Sequence, residues 1–396
     1  DTAEIKRERD GMRTGGRLVS SKGAGGKQAK DGNGVFHQHG VCPWRPAGGR
    51  KTNQEVFPFK TPVKSRSTRQ IQPCASLYSK PSLPAQYPHT TMIKLTGIAD
   101  EAGSLLDVQI KAHKELGWDS IESRGVELDG VKGNLHEIPE AAFEKVCEKL
   151  AASNMKVSGF GSLIGNWAKK ITDDFSITEA EINRAIPRMQ KLGAKLIRVM
   201  SYAVCKDEAG KDLVEQHAEE RIRRMREINK RFADAGLTVV HENCMNWGGM
   251  SPGYVKRMMD AVPDMKWVFD TGNPVFIDDR DNPGHKQDAW EMYQAVKPNM
   301  VHVHVKDGRW VKEKNDAEYT YPGEGDGQTE RIMADLVKTG YSGYISIEPH
   351  VAVVFHGAGS ADNLSPEQKA KEQYDSYIKY GRMLEAILKK AGASLG

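Results

Sequence analysis

Cysteine is scarce in the sequence, and its few positions are far apart. The 396 residues contain five cysteines, which are Cys42, Cys74, Cys147, Cys205 and Cys244. An odd number without short paired spacings excludes a disulfide framework and the common cysteine-rich zinc modules. We therefore expect free thiols in a reducing compartment, the cytoplasm.

Long apolar runs are also missing. No segment reaches the roughly 18–20 apolar residues that a membrane span requires, and the first residues lack the apolar core of a secretory signal. We expect no membrane partner. Hydrophobic residues make up 38% of the chain and charged residues 28%, which is typical of a folded globular protein.

Positive charge is concentrated at one end. Residues 1–91 contain 16 Lys and Arg against 6 Asp and Glu, whereas the remaining residues contain 41 against 47. This segment is rich in Gly, Ser and Pro without helical or strand periodicity, which predicts a disordered, basic extension. A nucleic-acid tether is the less favoured interpretation; the others are a solvated tail or sequence upstream of a true start at Met92. The predicted folded domain is residues 92–396.

From Met92 onward, a short apolar run followed by an amphipathic segment recurs eight times. The predicted strands are Ile93–Gly97, Trp118–Ser123, Met155–Phe160, Lys195–Met200, Leu237–Asn243, Lys266–Asp270, Met300–Lys306 and Gly343–Glu348. Several of the helical patterns between and after them end at a glycine suited to a left-handed cap. The predicted helices are Ser104–Leu116, Pro139–Ser153, Thr178–Leu192, Leu213–Ala235, Pro252–Ala261, Lys286–Val296, Gln328–Thr339 and a last one at Ser365–Lys390.

Strands that alternate with helices predict a parallel sheet with right-handed crossovers. Eight such units in about 305 residues fit a (β/α)8 TIM barrel of roughly 250 residues with longer loops. A doubly wound open sheet is the alternative. It is less favoured, because no glycine-rich turn with dinucleotide-binding spacing follows an early strand.

The seventh predicted strand has the clearest pattern. In Val301–Asp307, valines alternate with His302, His304 and Lys306, so the valines share one face and the polar side chains share the other. In a barrel, the valines would pack under the helices and the polar face would line the interior. His304 then lies near the mouth, and His302 is a deeper, hydrogen-bonded residue.

Ionisable residues stand at the ends of four successive predicted strands, where barrels place their active sites. These residues are Glu242, Asp270, His304 and Glu348. Isolated buried acids are costly, so the set predicts a bound divalent cation. Three carboxylates and one imidazole suit Mn²⁺ first, and also Mg²⁺, Co²⁺ or Zn²⁺. Four separate salt-bridged side chains are the alternative.

From about Ile93 to Ala391, the sequence resembles the xylose isomerase-like TIM barrel superfamily of sugar phosphate isomerases and epimerases, which includes endonuclease IV-type repair enzymes. The motifs that carry the resemblance are His241-Glu-Asn243, Phe269-Asp-Thr-Gly-Asn273, His304-Val-Lys-Asp307, Pro322-Gly-Glu-Gly-Asp326 and Ile347-Glu-Pro349. The resemblance implies that Glu242, Asp270, His304 and Glu348 bind one divalent metal. It also implies that Glu242 and Glu348 exchange the proton of a substrate carbon.

This resemblance implies a metal-dependent isomerase or epimerase of a small sugar, ketose or polyol-derived carbonyl compound, acting through a metal-stabilised enediolate. An inosose-type dehydratase of the same superfamily is the alternative, because it also begins with proton abstraction. A non-catalytic sugar-binding barrel is a third interpretation. The sequence leaves open whether the chain forms a homo-oligomer.

The sequence departs from the family at Asn273, where sugar epimerases and repair enzymes commonly carry His. The extra histidines and acids of a three-metal repair site are missing, so we expect no nucleic-acid partner. Glu122, Asn273 and Lys306 are candidate contacts to the sugar substrate. For Glu122 and Lys306, a structural ion pair is the alternative. Trp167 is interpreted as a packing residue in preference to a sugar-stacking one.

Overall fold

The computed structural model describes residues 92–352 and 364–396. The predicted disordered extension, residues 1–91, lies outside the described residues. The phosphate site that the glycines of Gly357–Ser360 suggest in the sequence also lies outside the described residues.

Eight parallel strands form the barrel wall, and helices alternate with them along the chain. The wall strands are β1 (Met92–Gly97), β2 (Ser120–Ser123), β5 (Lys156–Gly161), β6 (Leu196–Val199), β7 (Thr238–Glu242), β8 (Lys266–Asp270), β9 (Met300–Val305) and β12 (Tyr344–Ile347). The helices are α1 (Leu106–Leu116), α2 (Glu140–Ala152), α3 (Phe175–Leu192), α4 (Ala218–Asp234), α5 (Pro252–Ala261), α6 (Asn273–Phe276), α7 (Ala289–Val296), α8 (Thr329–Lys338) and α9 (Pro366–Lys390).

The barrel closes between its first two strands. Hydrogen-bonded ladders run from β1 through β12, β9, β8, β7, β6 and β5 to β2. A single parallel bridge, Ile98 to Glu122, joins the two ends. At the other end of β1, Met92 and Ile93 pair with a short strand, β13 (Ser394–Leu395). The TIM barrel predicted from the alternating pattern is confirmed.

The predicted strands and helices are all present, with boundaries that differ by a few residues. β8 and α5 have the predicted bounds, whereas the predicted Leu213–Ala235 begins late, at Ala218. Two antiparallel hairpins were not predicted. They are β3 (Gly125–Leu128) with β4 (Val131–Asn134), and β10 (Asp307–Val311) with β11 (Asp316–Thr320).

Local sequence explains where the helices begin and end. The side chain of Asp288 accepts a hydrogen bond from the Glu291 amide at the start of α7. Ser365 and Gln368 form a reciprocal capping box at the start of α9. Gly117 ends α1 with φ 82°, a left-handed conformation that a side chain would disfavour.

The two faces of β9 bear out the predicted alternation. Val303 and Val305 are fully buried in the apolar layer between the strands and helices. His302 and His304 are also buried, but they belong to a polar barrel interior that includes Thr96 and Ser346. Side chains of this interior hydrogen-bond across the wall, as Thr96 Oγ1 does to the Ser120 carbonyl at 2.9 Å.

The last long helix packs on the first strand through a buried tyrosine and histidine. A Cβ atom on Gly97 would lie 1.9 Å from the Tyr377 hydroxyl, so the close approach of α9 to β1 requires glycine. His113 Nδ1 donates to the Gln109 carbonyl at 2.9 Å, which leaves Nε2 to accept from the Tyr377 hydroxyl at 3.2 Å. The neutral imidazole is therefore fully hydrogen-bonded.

Among residues 92–352 and 364–396, none of the helices combines the length and apolar character needed to cross a membrane.

The buried neutral His113 predicts a loss of stability in acid. Burial lowers the pKa of His113 from 6.5 to about 4. In the unfolded chain this histidine binds a proton below about pH 6.5, whereas in the folded chain it does so only near pH 4. The free energy of unfolding is therefore highest above about pH 6.5 and declines as the pH falls towards 4. Between pH 8 and pH 5 the decline is about 2 kcal/mol. The free energies of unfolding of the protein and of His113→Gln, measured with urea, should therefore differ by about that much less at pH 5 than at pH 8. A difference that does not change with pH would contradict a buried neutral His113.

Candidate metal centre and active site

Four ionisable side chains meet at the C-terminal mouth of the barrel. Glu242 ends β7, Asp270 ends β8, His304 lies in β9, and Glu348 directly follows β12. All four are buried, and one potential ligand atom of each lies within 4.8 Å of those of the other three. The structure thus brings together the four residues that the strand ends indicated.

Strand register accounts for the convergence. Asp270 pairs with His304 across β8 and β9, and His304 pairs with Ser346 across β9 and β12. Glu348 follows two residues after Ser346 on the same face. Its amide donates to the Val305 carbonyl at 2.9 Å, which continues the ladder beyond β12 and fixes the position of the carboxylate.

His304 lies between carboxylates on both sides of its ring. Nδ1 is 3.5 Å from Glu242 Oε1 and 3.8 Å from Glu348 Oε2, and Nε2 is 3.0 Å from Glu122 Oε1. Burial lowers the pKa of His304, but Glu122 and Glu242 outweigh it and raise the pKa to about 10. A metal that binds at Nδ1 must therefore displace a proton.

Glu242 is held by two donors. Arg198 Nη1 lies 3.1 Å from Oε2, and Asn273 Nδ2 donates to Oε1 at 3.3 Å. Burial raises the pKa of Glu242, but Arg198 and His304 together bring it below its usual value. The side chain is therefore a carboxylate at neutral pH.

Glu348 is held in a similar way. Arg124 Nη1 donates to Oε1 at 3.0 Å, and Lys306 Nζ donates to Oε2 at 3.2 Å. Burial again raises the pKa of Glu348, whereas Lys306, His350 and Arg124 hold it well below its usual range. Each of the two glutamates thus has a guanidinium against one oxygen, which fixes its orientation.

Asp270 is bound mainly by backbone amides. Oδ1 accepts hydrogen bonds from the amides of Gly272 at 2.9 Å and Asn273 at 2.7 Å, and Oδ2 is 3.0 Å from Lys306 Nζ. Burial raises the pKa of Asp270 to about 7, with Lys306 opposing and the two nearby glutamates adding to the increase. The side chain of Asn243 hydrogen-bonds the Asp270 backbone in both directions, which holds the end of β8 in place.

Lys306 is a cation inside the carboxylate cluster. Its ammonium contacts Asp270 and Glu348, and burial, which lowers its pKa, is outweighed by these acids so that the pKa lies well above 10.5. The two interpretations of the strand-end residues, a ligand set and a set of salt bridges, therefore describe the same side chains. The cluster is partly neutralised by its own lysine and arginines.

The donor set nevertheless fits a divalent ion. His304 Nδ1, Glu242 Oε2 and Asp270 Oδ2 are buried atoms without a partner at hydrogen-bonding geometry, although cations approach both oxygens. With an oxygen of Glu348, they offer three carboxylates and one imidazole. Mn²⁺, Mg²⁺ and Zn²⁺ all accept such ligands.

Glu122 lies behind His304 and not in open space. Oε1 contacts His304 Nε2 at 3.0 Å, and Oε2 contacts His302 Nε2 at 2.7 Å. Burial raises the pKa of Glu122, but the two histidines hold it well below its usual range. The contacts of this residue match the ion-pair alternative, with two histidines as its partners.

Asp307 unites two sequence motifs into one structure. Its carboxylate accepts hydrogen bonds from the amides of Gly308, Gly323 and Gly327 and from the Thr329 hydroxyl. A Cβ on Gly325 would lie 2.3 Å from Asp307 Oδ1, so the Pro322–Gly327 loop must be glycine-rich to wrap around this carboxylate. Asp307, which fixes this loop, therefore directly follows Lys306 in the chain.

Sequence reasoning missed Arg124 and Arg198, the two guanidiniums that orient the glutamates. Arg198 had a detectable signal, because it is a charged residue at interior parity in the apolar strand Leu196–Val199. Arg124 follows β2 and contacts Glu348, 224 residues later. Periodicity does not indicate such a distant partner.

Two weaker predictions have different outcomes. Strand alternation places His241 on the helix-facing side and predicts a structural role. It is buried, with its ring 4.5 Å from that of Trp267, in agreement with that role. Trp167 is 46% exposed, so its interpretation as a core residue was wrong. It lies in the loop after β5, at the same end of the barrel as the acidic cluster.

Known proteins share both the sequence pattern and the fold. The family pattern described as xylose isomerase-like TIM barrel matches residues 110–380. No curated protein matches the chain significantly.

Three solved structures illustrate the similarity of fold. A xylose isomerase-like TIM barrel protein from Mycobacterium smegmatis, in complex with magnesium, is 16% identical with a TM-score of 0.52, over 76% of this chain and 98% of that one. The IolI protein with a bound zinc atom is 13% identical with a TM-score of 0.53, over 76% and 98% of the two chains. The D-psicose 3-epimerase of Clostridium cellulolyticum H10, with D-tagatose, is 16% identical with a TM-score of 0.51, over 74% and 99%.

The family pattern spans well over half of the sequence and coincides with the barrel and its acidic mouth. The chain therefore belongs to the xylose isomerase-like TIM barrel family.

Proposed function

We propose that the protein is a divalent-metal-dependent isomerase or epimerase of a small sugar or related carbonyl compound. The observation that carries the proposal is the placement of two ionised glutamates around His304 Nδ1, at 3.5 and 3.8 Å. Both glutamates belong to the four-residue donor cluster, so a substrate held at that cluster would meet a carboxylate base.

The four donors, Glu242, Asp270, His304 and Glu348, would hold one ion. When bound there, the ion would polarise a substrate carbonyl and stabilise the negative charge that develops when a neighbouring proton is removed. Mn²⁺ remains our first choice for an oxygen-rich site, with Mg²⁺, Co²⁺ and Zn²⁺ as alternatives. The magnesium and zinc in two similar structures support a divalent ion.

The chain's own residues divide the work of proton transfer. Glu242 and Glu348 are carboxylates at neutral pH, the form that accepts a proton from carbon. Arg198 and Arg124 hold one oxygen of each and so fix the direction from which each base approaches. Return of the proton to the same carbon gives an epimer, and return to its neighbour gives an isomer.

Substrate hydroxyls would meet Lys306 and Asn273, which border the donor cluster. Lys306 Nζ, which donates to Glu348, can instead donate to a substrate oxygen. Asn273 offers its side-chain amide beside Glu242. We do not assign Glu122 a substrate contact, because both of its oxygens are occupied by histidines. The sugar complex of the similar D-psicose 3-epimerase supports a sugar substrate.

Metal binding should stabilise the folded chain. Mn²⁺ at 100 times its Kd should add about 2.7 kcal/mol to the free energy of unfolding and raise Tm accordingly. Asp270→Asn should abolish the increase. The control Asp335→Asn, at a residue of α8 that forms an ion pair with Lys297, should retain it. Thermal unfolding with and without Mn²⁺, together with elemental analysis, measures this. Absence of both bound metal and a Tm increase in the unmodified protein would contradict the metal site.

Proton exchange should identify the reaction. Ketoses and inososes incubated with the protein and Mn²⁺ in D₂O should gain deuterium on carbon, and Glu242→Gln or Glu348→Gln should slow this by about 10²- to 10⁴-fold. Mass spectrometry separates the outcomes. Gain of deuterium without loss of water supports isomerisation or epimerisation, and loss of water supports the dehydratase alternative. Binding without any exchange would support the non-catalytic barrel.

Removal of the Lys306 ammonium should tighten metal binding while impairing turnover. The ammonium lies 3.0 Å and 3.2 Å from oxygens of two proposed ligands, so it repels a divalent ion at short range. Lys306→Met should lower the Kd for Mn²⁺ at least about tenfold, equivalent to about 1.4 kcal/mol. Isothermal titration calorimetry measures this directly. Weaker binding would mean that Lys306 instead holds the ligands in their binding positions.

A further inference from the structure

Glu122 belongs to β2, which is not one of the strands that carry the four proposed ligands. It is 2% exposed, and its two oxygens contact two imidazoles. Oε1 is 3.0 Å from His304 Nε2, and Oε2 is 2.7 Å from His302 Nε2. The carboxylate therefore lies on the opposite side of His304 from Glu242 and Glu348.

His302 extends this chain of contacts to the barrel wall. Its Nδ1 lies 3.1 Å from the Tyr344 carbonyl oxygen, which can only accept, so Nδ1 donates. Tyr344 is also the residue paired with His302 across β9 and β12. The two imidazole rings stand edge to face, 5.1 Å apart and 86° to one another. Backbone, His302, Glu122 and His304 thus form one continuous buried sequence of contacts.

We propose that Glu122, supported by His302, is a positioning residue that directs the Nδ1 lone pair of His304 at the bound metal. The inference rests on the proposed metal site. A metal that binds at Nδ1 displaces a proton from His304. The neutral imidazole that remains carries one N–H, whereas an ionised carboxylate offers only acceptors. Contact with Glu122 therefore selects the form with hydrogen at Nε2 and leaves Nδ1 as the ligand atom, on the side of Glu242 and Glu348.

The surrounding charges show why such selection is needed. Without Glu122, the carboxylates nearest to the ring are Glu242 at 3.5 Å and Glu348 at 3.8 Å, both on the Nδ1 side. They would attract the single hydrogen to Nδ1, and the lone pair would then point away from the cluster. Glu122 reverses this preference because its contact with Nε2 is shorter, at 3.0 Å.

The second oxygen of Glu122 explains the role of His302. A carboxylate with one partner could rotate, whereas Oε2 is fixed at 2.7 Å from an imidazole that is itself tied to the Tyr344 carbonyl. Partners behind metal-binding histidines typically contribute about 10- to 100-fold to metal affinity. We expect an effect of that size for Glu122 and a smaller one for His302.

Co²⁺ provides the test, because its visible spectrum reports the ligand set while calorimetry gives the Kd. Glu122→Gln keeps the side-chain shape but places an amide NH₂ against one of the two imidazoles. It should raise the Kd for Co²⁺ about 10- to 100-fold and alter the spectrum. The matched control is Glu385→Gln, a buried carboxylate on α9 that accepts a hydrogen bond from Trp118 Nε1 at 3.1 Å, which should change neither.

The outcomes separate the inference from the proposed function. Failure of the unmodified protein to bind Co²⁺ or Mn²⁺ would contradict the metal site itself. Binding by the unmodified protein, with an unchanged Kd and spectrum in folded Glu122→Gln, would overturn the role of Glu122 alone. Far-UV circular dichroism verifies folding. If Glu122→Gln does not fold, His302→Asn carries the test, and an unchanged Kd and spectrum there would equally overturn the inference.

Discussion

The structure depends on charge compensation within a closed barrel. Buried carboxylates are tolerated only where cations or hydrogen-bond donors match them, and here the match is made residue by residue. Arg198 contacts Glu242, Arg124 contacts Glu348, and Lys306 lies between Glu348 and Asp270. Each acid is thereby kept at a fixed place, with Glu242 and Glu348 ionised and the pKa of Asp270 raised by burial to about 7. The interior departs in this respect from barrels filled by layers of branched apolar residues.

The same charge compensation divides the barrel interior into two layers. Arg198 contacts Oε2 of Glu242 and Arg124 contacts Oε1 of Glu348, while His304 Nδ1 approaches the other oxygen of each glutamate. The polar interior is thus divided into a supporting layer, with His302 and Glu122, and a reactive layer at the mouth. Strand register produces the division, since residues two apart on β9 point inward at successive depths.

Much of this could be predicted from sequence. The alternation of strands and helices, the bounds of β8 and the acidic strand ends of β7 and β8 follow from local patterns. The hairpin β10–β11 was not predicted, and it begins at Asp307, directly after β9 and Lys306. The partners of Arg124 and Glu122 were not predicted, because they lie 224 and 182 residues away. Pairing at such separations depends on barrel closure, which periodicity does not encode.

The seam between the first two strands has a consequence for the order of folding. β1 pairs with β12 through residues such as Lys94 and Tyr344, 250 positions apart, and with β13 through Met92 and Ser394, 302 positions apart, but meets β2 through one bridge. Closing so long a loop is entropically costly, and its contacts become favourable only when both ends are present. During synthesis, β1 can therefore form its strand ladders only after β12 and β13 have been made. The donor cluster, whose final residue is Glu348, is completed by the same late event.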